Sequence, residues 1–202
     1  MRKKQLAIRL SQLKTAQIHA DLEQYMLSGD LAAEILMIAH DFGDIRDKKI
    51  ADLGCGTGFL GIGGLLLGAH SVHFVDCDCD LLDIAKKNLK TSTKGLKAGT
   101  ATFDCCTVES IEFTVDTVVQ NPPFGTKKKG ADLQFLKKAT MIAPVVYSLH
   151  KKGNAAFLDR HTGHVLTHIK EMRVPLFRSY SFHEKKVVTI EVELLRFEKV
   201  NP

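Results

Sequence analysis

From Lys49 to Leu149 short apolar runs alternate with stretches of helical periodicity, and that alternation restricts the chain to parallel strands joined by crossover helices. Lys49–Leu53, Ser71–Val75, Thr100–Phe103, Val115–Gln120 and Val145–Leu149 read as strands. Between them, Phe59–Leu67, Cys79–Leu89 and Asp132–Ile142 carry helical patterns. Ahead of the first strand, Leu31, Ile35, Leu36, Ile38 and Ala39 recur at helical spacing behind the candidate caps Ser28 and Asp30, which predicts a helix over 30–41. Residues 153–169 read as a further, less apolar helical region. Arg173–Phe177 and Val187–Phe197 then arrive without a convincing helix between them, which predicts an antiparallel hairpin closing a seven-stranded, mostly parallel α/β sheet with helices on both faces.

The 202 residues suit one domain with a full core, the first 45 forming a helical extension, and no repeat or Pro/Gly/Ser linker divides them. A formal charge of +5 favours a polyanionic partner only mildly. No apolar signal core follows Met1-Arg-Lys-Lys, and the longest apolar run, Phe59–Ala69, is too short and glycine-rich to span a bilayer, so a soluble, cytoplasmic protein with no membrane contact is expected. Five cysteines (55, 77, 79, 105 and 106) show neither Cys-x-x-Cys nor a histidine at finger spacing, so neither a disulfide framework nor a metal site is expected.

Two strand-end loops carry the chemistry. Asp52-Leu-Gly54-Cys-Gly56-Thr-Gly58 follows the first strand and opens a helix, giving a tight turn and free N–H groups for a nucleoside-bearing cofactor. Gly56-Thr-Gly58-Phe-Leu-Gly61 also fits a dinucleotide pattern, and Asp76 at the second strand's end serves a ribose in either reading. Asp52, just before the glycines, suits the ammonium of a methionine moiety and would repel a pyrophosphate, which points to S-adenosylmethionine. Asp104 is placed to accept from the cofactor's exocyclic amine, with the backbone of Cys105 near its ring. Asp78 and Asp80 read as helix caps.

Asn121-Pro122-Pro123-Phe124 leaves the fourth strand and fits methylation of a planar nitrogen, whose lone pair is delocalised and must be localised before it can react. The Asn121 side-chain oxygen and the Pro122 carbonyl would accept the two amine protons, the prolines would hold that carbonyl in place, and Phe124 would stack on a flipped base. Adenine, guanine and an amide all answer this description. Lys127, Lys128 and Lys129 follow directly, with Lys137, Lys138, Lys151 and Lys152 further on, as candidate phosphate contacts; Arg2, Lys3, Lys4, Arg9 and Lys14 make the amino end basic. His150 and His183 show no catalytic partner in the sequence.

Asn121-Pro-Pro-Phe-Gly-Thr126, Tyr147-Ser-Leu-His-Lys151 and Ile190-Glu-Val-Glu-Leu-Leu-Arg-Phe197 resemble the small single-domain adenine-N6 RNA methyltransferases related to the eukaryotic small-subunit ribosomal RNA enzyme, from Leu22-Glu-Gln-Tyr25 to Phe197. That resemblance implies a Rossmann-like class I methyltransferase fold, with Gln24, Gly54, Thr57, Phe59, Asp76, Asp104 and Cys105 near S-adenosylmethionine and Asn121 to Phe124 around the base. Met26-Leu-Ser-Gly29 departs from the family's Thr-containing segment, leaving Ser28 or water to meet the cofactor's carboxylate. The resemblance also implies ribosomal RNA as substrate and a small zinc-binding activator protein pairing with the edge strand near Thr100–Phe103. Guanine-N2 rRNA methylation and glutamine-amide methylation of a protein remain alternatives of the same chemistry, and a non-catalytic RNA-binding assembly factor one of another class.

Overall fold

The computed structural model describes residues 1–15, 27–123, 130–177 and 187–200. Seven strands, β1 (Lys49–Leu53), β2 (Ser71–Asp76), β3 (Thr100–Cys105), β4 (Thr117–Gln120), β5 (Val145–Lys151), β6 (Val165–Phe177) and β7 (Val187–Glu198), form one sheet in the order β3-β2-β1-β4-β5-β7-β6. The first five in that order run parallel, β7 is antiparallel to β5, and β6 is antiparallel to β7. The expected α/β architecture, including the carboxyl-terminal hairpin, is therefore present.

Each face of the sheet carries its own apolar cluster. On one, α1 (Lys3–Ser11), α2 (Gly29–Asp41), α3 (Phe59–Leu66) and α4 (Cys79–Ser92) bury Leu6, Leu10, Ile35, Leu36, Ile62 and Leu82 against Ile50, Phe74 and Val119. On the other, α5 (Ala131–Ile142) and the short α6 (Ala155–Asp159) set Leu136, Ala139 and Leu158 against Leu53, Val118 and Val146. Helix starts follow the sequence signals: Ser28 Oγ accepts from Leu31 N, and Asp78 Oδ1 accepts from the Asp80 and Leu81 amides. Among the described residues no helix is long and apolar enough to cross a membrane.

Two expectations fail. Of the helical region expected over 153–169 only Ala155–Asp159 is helical, and from Val165 the chain is strand. The register from Val165↔Glu198 to Phe177↔Val187 explains it: the first part of β6 is dictated by pairing with the far end of β7, and as an edge strand it leaves Val165 and Ile169 half exposed, which blurs its alternation. Second, Cys79 and Cys105 form a disulfide with Cα atoms 5.4 Å apart. They stand at the start of α4 and the end of β3, which the parallel β2–β3 pairing brings together, so a separation of 26 residues left no motif to read.

Candidate active site

The sheet order reverses between β1 and β4, and a crevice at the carboxyl ends of these strands is where such sheets bind ligands. Leu53 and Gln120 are register partners, so the next residues, Gly54 and Asn121, leave the sheet side by side. Asp76 and Cys105 are paired at the same edge, at the ends of β2 and β3. Both expected loops thus leave the sheet at the same end of neighbouring strands.

The glycine loop is held by its neighbours. Gly54 and Cys55 amides donate to the Val75 carbonyl at 2.8 and 3.0 Å, and the Gly56 amide donates to Asp76 Oδ2 at 2.7 Å. Gly54, Gly56 and Gly58 all have positive φ, at 67°, 53° and 91°, which a side chain would oppose. A Cβ at Gly56 would meet nothing within 4 Å, so the backbone there faces open space that a ligand can approach. Thr57 and Phe59 are buried, and the Thr57 carbonyl accepts from Asn88 Nδ2 at 2.9 Å. Asn88, which sequence reasoning missed, also bonds the amide and carbonyl of Lys14 and so ties α4 and the amino-terminal segment to the loop.

Asp52 does more than the sequence suggested. It is 1% exposed, and its Oδ2 accepts the Gly61 amide at 2.7 Å. Gly58 at the helix start has no side chain to cap α3, so the β1 carboxylate supplies the acceptor for the third-residue amide. Gly61 must be glycine for this approach, because a Cβ there would collide with the Phe74 ring. Burial pushes the Asp52 carboxyl up to about 7, the Gly61 bond opposing and nearby Asp76 adding to the rise. The Asp76 carboxyl is also raised, again by burial first, while the Asp78 and Gly56 amides oppose. Among the described residues no cation is ion-paired with either acid. Two buried acids flanking an open glycine turn fit a ligand bringing a cation and hydroxyls, and do not fit a pyrophosphate.

Asp104 stands at the β3 end, partly exposed, with Oδ2 3.4 Å from His73 Nδ1. Cys105 cannot act through a free thiol because it is disulfide-bonded, although its backbone remains beside Asp76. Asn121 and Pro123 are half-buried and Pro122 is buried, with Asn121 Oδ1 itself buried. Gln24, Phe124, Lys127, Lys128, Lys129 and His183 lie outside the described residues. Of the other cations, Lys138 donates to the Glu109 carbonyl and Lys152 pairs with Glu171 and Glu191, while Lys151 belongs to β5 itself. At the amino end Lys3 pairs with Glu34.

Comparison with known proteins agrees with this geometry. A family model of the methyltransferase small domain matches residues 28–171. The rRNA N(6)-adenosine-methyltransferase of Danio rerio is 39% identical over 87% of this chain and 88% of its own length. An uncharacterized protein of Methanocaldococcus jannaschii is 37% identical over 99% of this chain and 95% of its own. The crystal structure of a putative RNA methyltransferase from Pyrococcus horikoshii superposes with a TM-score of 0.87 at 39% identity, covering 100% of this chain and 99% of that one.

Proposed function

The chain belongs to the methyltransferase small-domain family, alongside the rRNA N(6)-adenosine-methyltransferases, and from that premise we propose that it methylates N6 of adenosine in small-subunit ribosomal RNA. It is an S-adenosylmethionine-dependent methyltransferase. The observation that carries the reading is the side-by-side exit of Gly54 and Asn121 from paired strands, which supports an acceptor loop beside a cofactor loop. Strand spacing in a sheet is about 4.8 Å, so the two loops lie within reach of one transferred carbon.

When bound, S-adenosylmethionine supplies an electrophilic methyl group on a sulfonium. Asp52 and the Gly54–Gly58 turn hold the methionine end, Asp76 the ribose, and Asp104 with the Cys105 backbone the adenine. Asn121 Oδ1 and the Pro122 carbonyl accept the two N6 protons of the substrate, which draws the nitrogen lone pair out of the ring π system. Asn121 is neutral and acts by position, leaving the departing proton to water. Phe124 stacks on the flipped base, and Lys127–Lys129 hold flanking phosphates. A small zinc-binding activator protein pairs with the β3 edge; supporting this, β3 ends the sheet with Thr100 exposed and Phe103 only partly covered.

The test is incubation with methyl-labelled S-adenosylmethionine and unmodified small-subunit rRNA, followed by nucleoside mass spectrometry. Label in N6-methyladenosine supports the proposal, label in N2-methylguanosine keeps the mechanism and changes the base, and label only in protein overturns the RNA assignment. Asn121→Ala should keep cofactor affinity and lower single-turnover transfer by about 100-fold or more, the scale of a lost transition-state donor or acceptor.

A further inference from the structure

Beneath the acceptor loop lies a line of buried polar side chains that the chemistry above does not use. Gln120, the last residue of β4, is 2% exposed, and its Nε2 donates to Ser148 Oγ of β5 at 2.9 Å. Ser148 Oγ is 2.6 Å from His150 Nε2, and both side chains are fully buried. The other ring nitrogen, Nδ1, is 3.7 Å from Asp132 Oδ2 in the first turn of α5, beyond hydrogen bonding but within ion-pair range. The Asp132 carboxyl is held below its usual range, first by this ring and also by the Leu133 amide, against partial burial.

Placement gives the line its meaning. Gln120 immediately precedes Asn121, and Asp132 lies two residues beyond Gly130, so the line joins both ends of the acceptor loop through β5. Val118 and Val146 beside it on this face are apolar, and a sheet seeking stability alone would continue them.

The line also has a direction. A carboxylate at Asp132 favours the proton on His150 Nδ1, which leaves Nε2 an acceptor. Ser148 must then donate its hydroxyl to Nε2 and accept from Gln120. Gln120 must therefore present its amide nitrogen to Ser148 and turn Oε1 away, and that oxygen is buried with no hydrogen-bond partner among the described residues.

We propose that Asp132, His150 and Ser148 are positioning residues which, through Gln120, fix the aim of the Asn121 acceptor. The proposal rests on the methyl-transfer reading of Asn121. Displacing a reacting group by about 1 Å costs of order 100-fold in rate, so Ser148→Ala should lower kcat by about 10- to 100-fold while leaving the KM for RNA and the Kd for S-adenosylmethionine unchanged. His150→Gln, which keeps an amide near the place of Nε2, should retain more turnover than His150→Phe. Asp132→Asn keeps an acceptor for the Leu133 amide and sits at a partly exposed helix start, so it carries the test if Ser148→Ala does not fold.

The experiment is steady-state kinetics of the full chain on small-subunit rRNA, with calorimetry of cofactor binding and melting curves on the same samples. A fall in kcat with KM and Kd held supports the proposal. Lower melting temperature with unchanged kcat, or a parallel loss of cofactor affinity, overturns it. A wild-type chain that binds the cofactor but methylates no RNA overturns the functional reading and the proposal with it, whereas an active wild type with equally active variants overturns the proposal alone.

Discussion

Asp52→Asn should make the protein more stable at pH 8 and bind S-adenosylmethionine more weakly. Asp52 ionises in a buried place, at about 7 instead of its ordinary 3.8. A raised acid binds its proton more tightly in the folded chain than in the unfolded one. Its contribution to stability is therefore full below pH 3.8 and lost as pH rises through about 7. That gap corresponds to about 4 kcal/mol at 1.36 kcal/mol per unit. Asparagine removes the charge and keeps an oxygen for the Gly61 amide, whose bond caps α3. The melting temperatures of variant and wild type should converge only below pH 3.8 and separate progressively towards pH 8, by about 2–4 °C per kcal/mol for a chain of this size. The raised Asp76 titrates in both proteins, and its repulsion of the Asp52 charge is part of the difference between them. Affinity should move the other way: a hydrogen bond to a charged group contributes about 1.5–3 kcal/mol, so calorimetry should find Kd weakened by about 10- to 100-fold. A melting-temperature gap independent of pH would refute the buried-charge argument, and an unchanged Kd would refute the pairing of Asp52 with the methionine ammonium.

Asn88→Ala should weaken cofactor binding by about tenfold in calorimetry, the scale of one to two lost hydrogen bonds, with kcat unchanged at saturating cofactor, because it releases Thr57 and Lys14 from α4 without touching the acceptor loop. Tyr147→Phe should lower unfolding free energy by about 1–3 kcal/mol in urea titration and leave kcat alone, since its hydroxyl serves the buried Asp44 and Arg196, away from the acceptor loop. Replacing Lys127, Lys128 and Lys129 by Ala should flatten the dependence of log K on log salt by about 2 if all three meet phosphates of single-stranded RNA, and an unchanged slope would remove them from the interface.

What the sequence disclosed and what it hid divide along a physical line. Lys49–Leu53 was legible as a strand because its apolar run is bounded by polar residues and glycines, and Ser28 and Asp78 were legible as caps because a cap acts within three residues of itself. The exits of the two loops from β1 and β4 were legible for the same reason, each pairing a strand end with the residues just beyond it. Features assembled from distant segments left no local trace. The Cys79–Cys105 bond depends on β2 and β3 ending together, and the first part of β6, from Val165, depends on the far end of β7.

His150 shows the same division at the site. In the sequence it is a histidine two residues after a serine, without a partner. Its meaning comes from β4 supplying Gln120 and α5 supplying Asp132 to the same buried line. Asp52 is the converse: its position before the glycines suggested a ligand contact, while its hold on Gly61 appears only when α3 folds back over β1. On the proposed reading one carboxylate serves both ends, because the helix start it caps directly follows the glycine turn assigned to the cofactor. Stability and binding are therefore coupled at that residue, and the opposite signs expected for Asp52→Asn follow from this geometry.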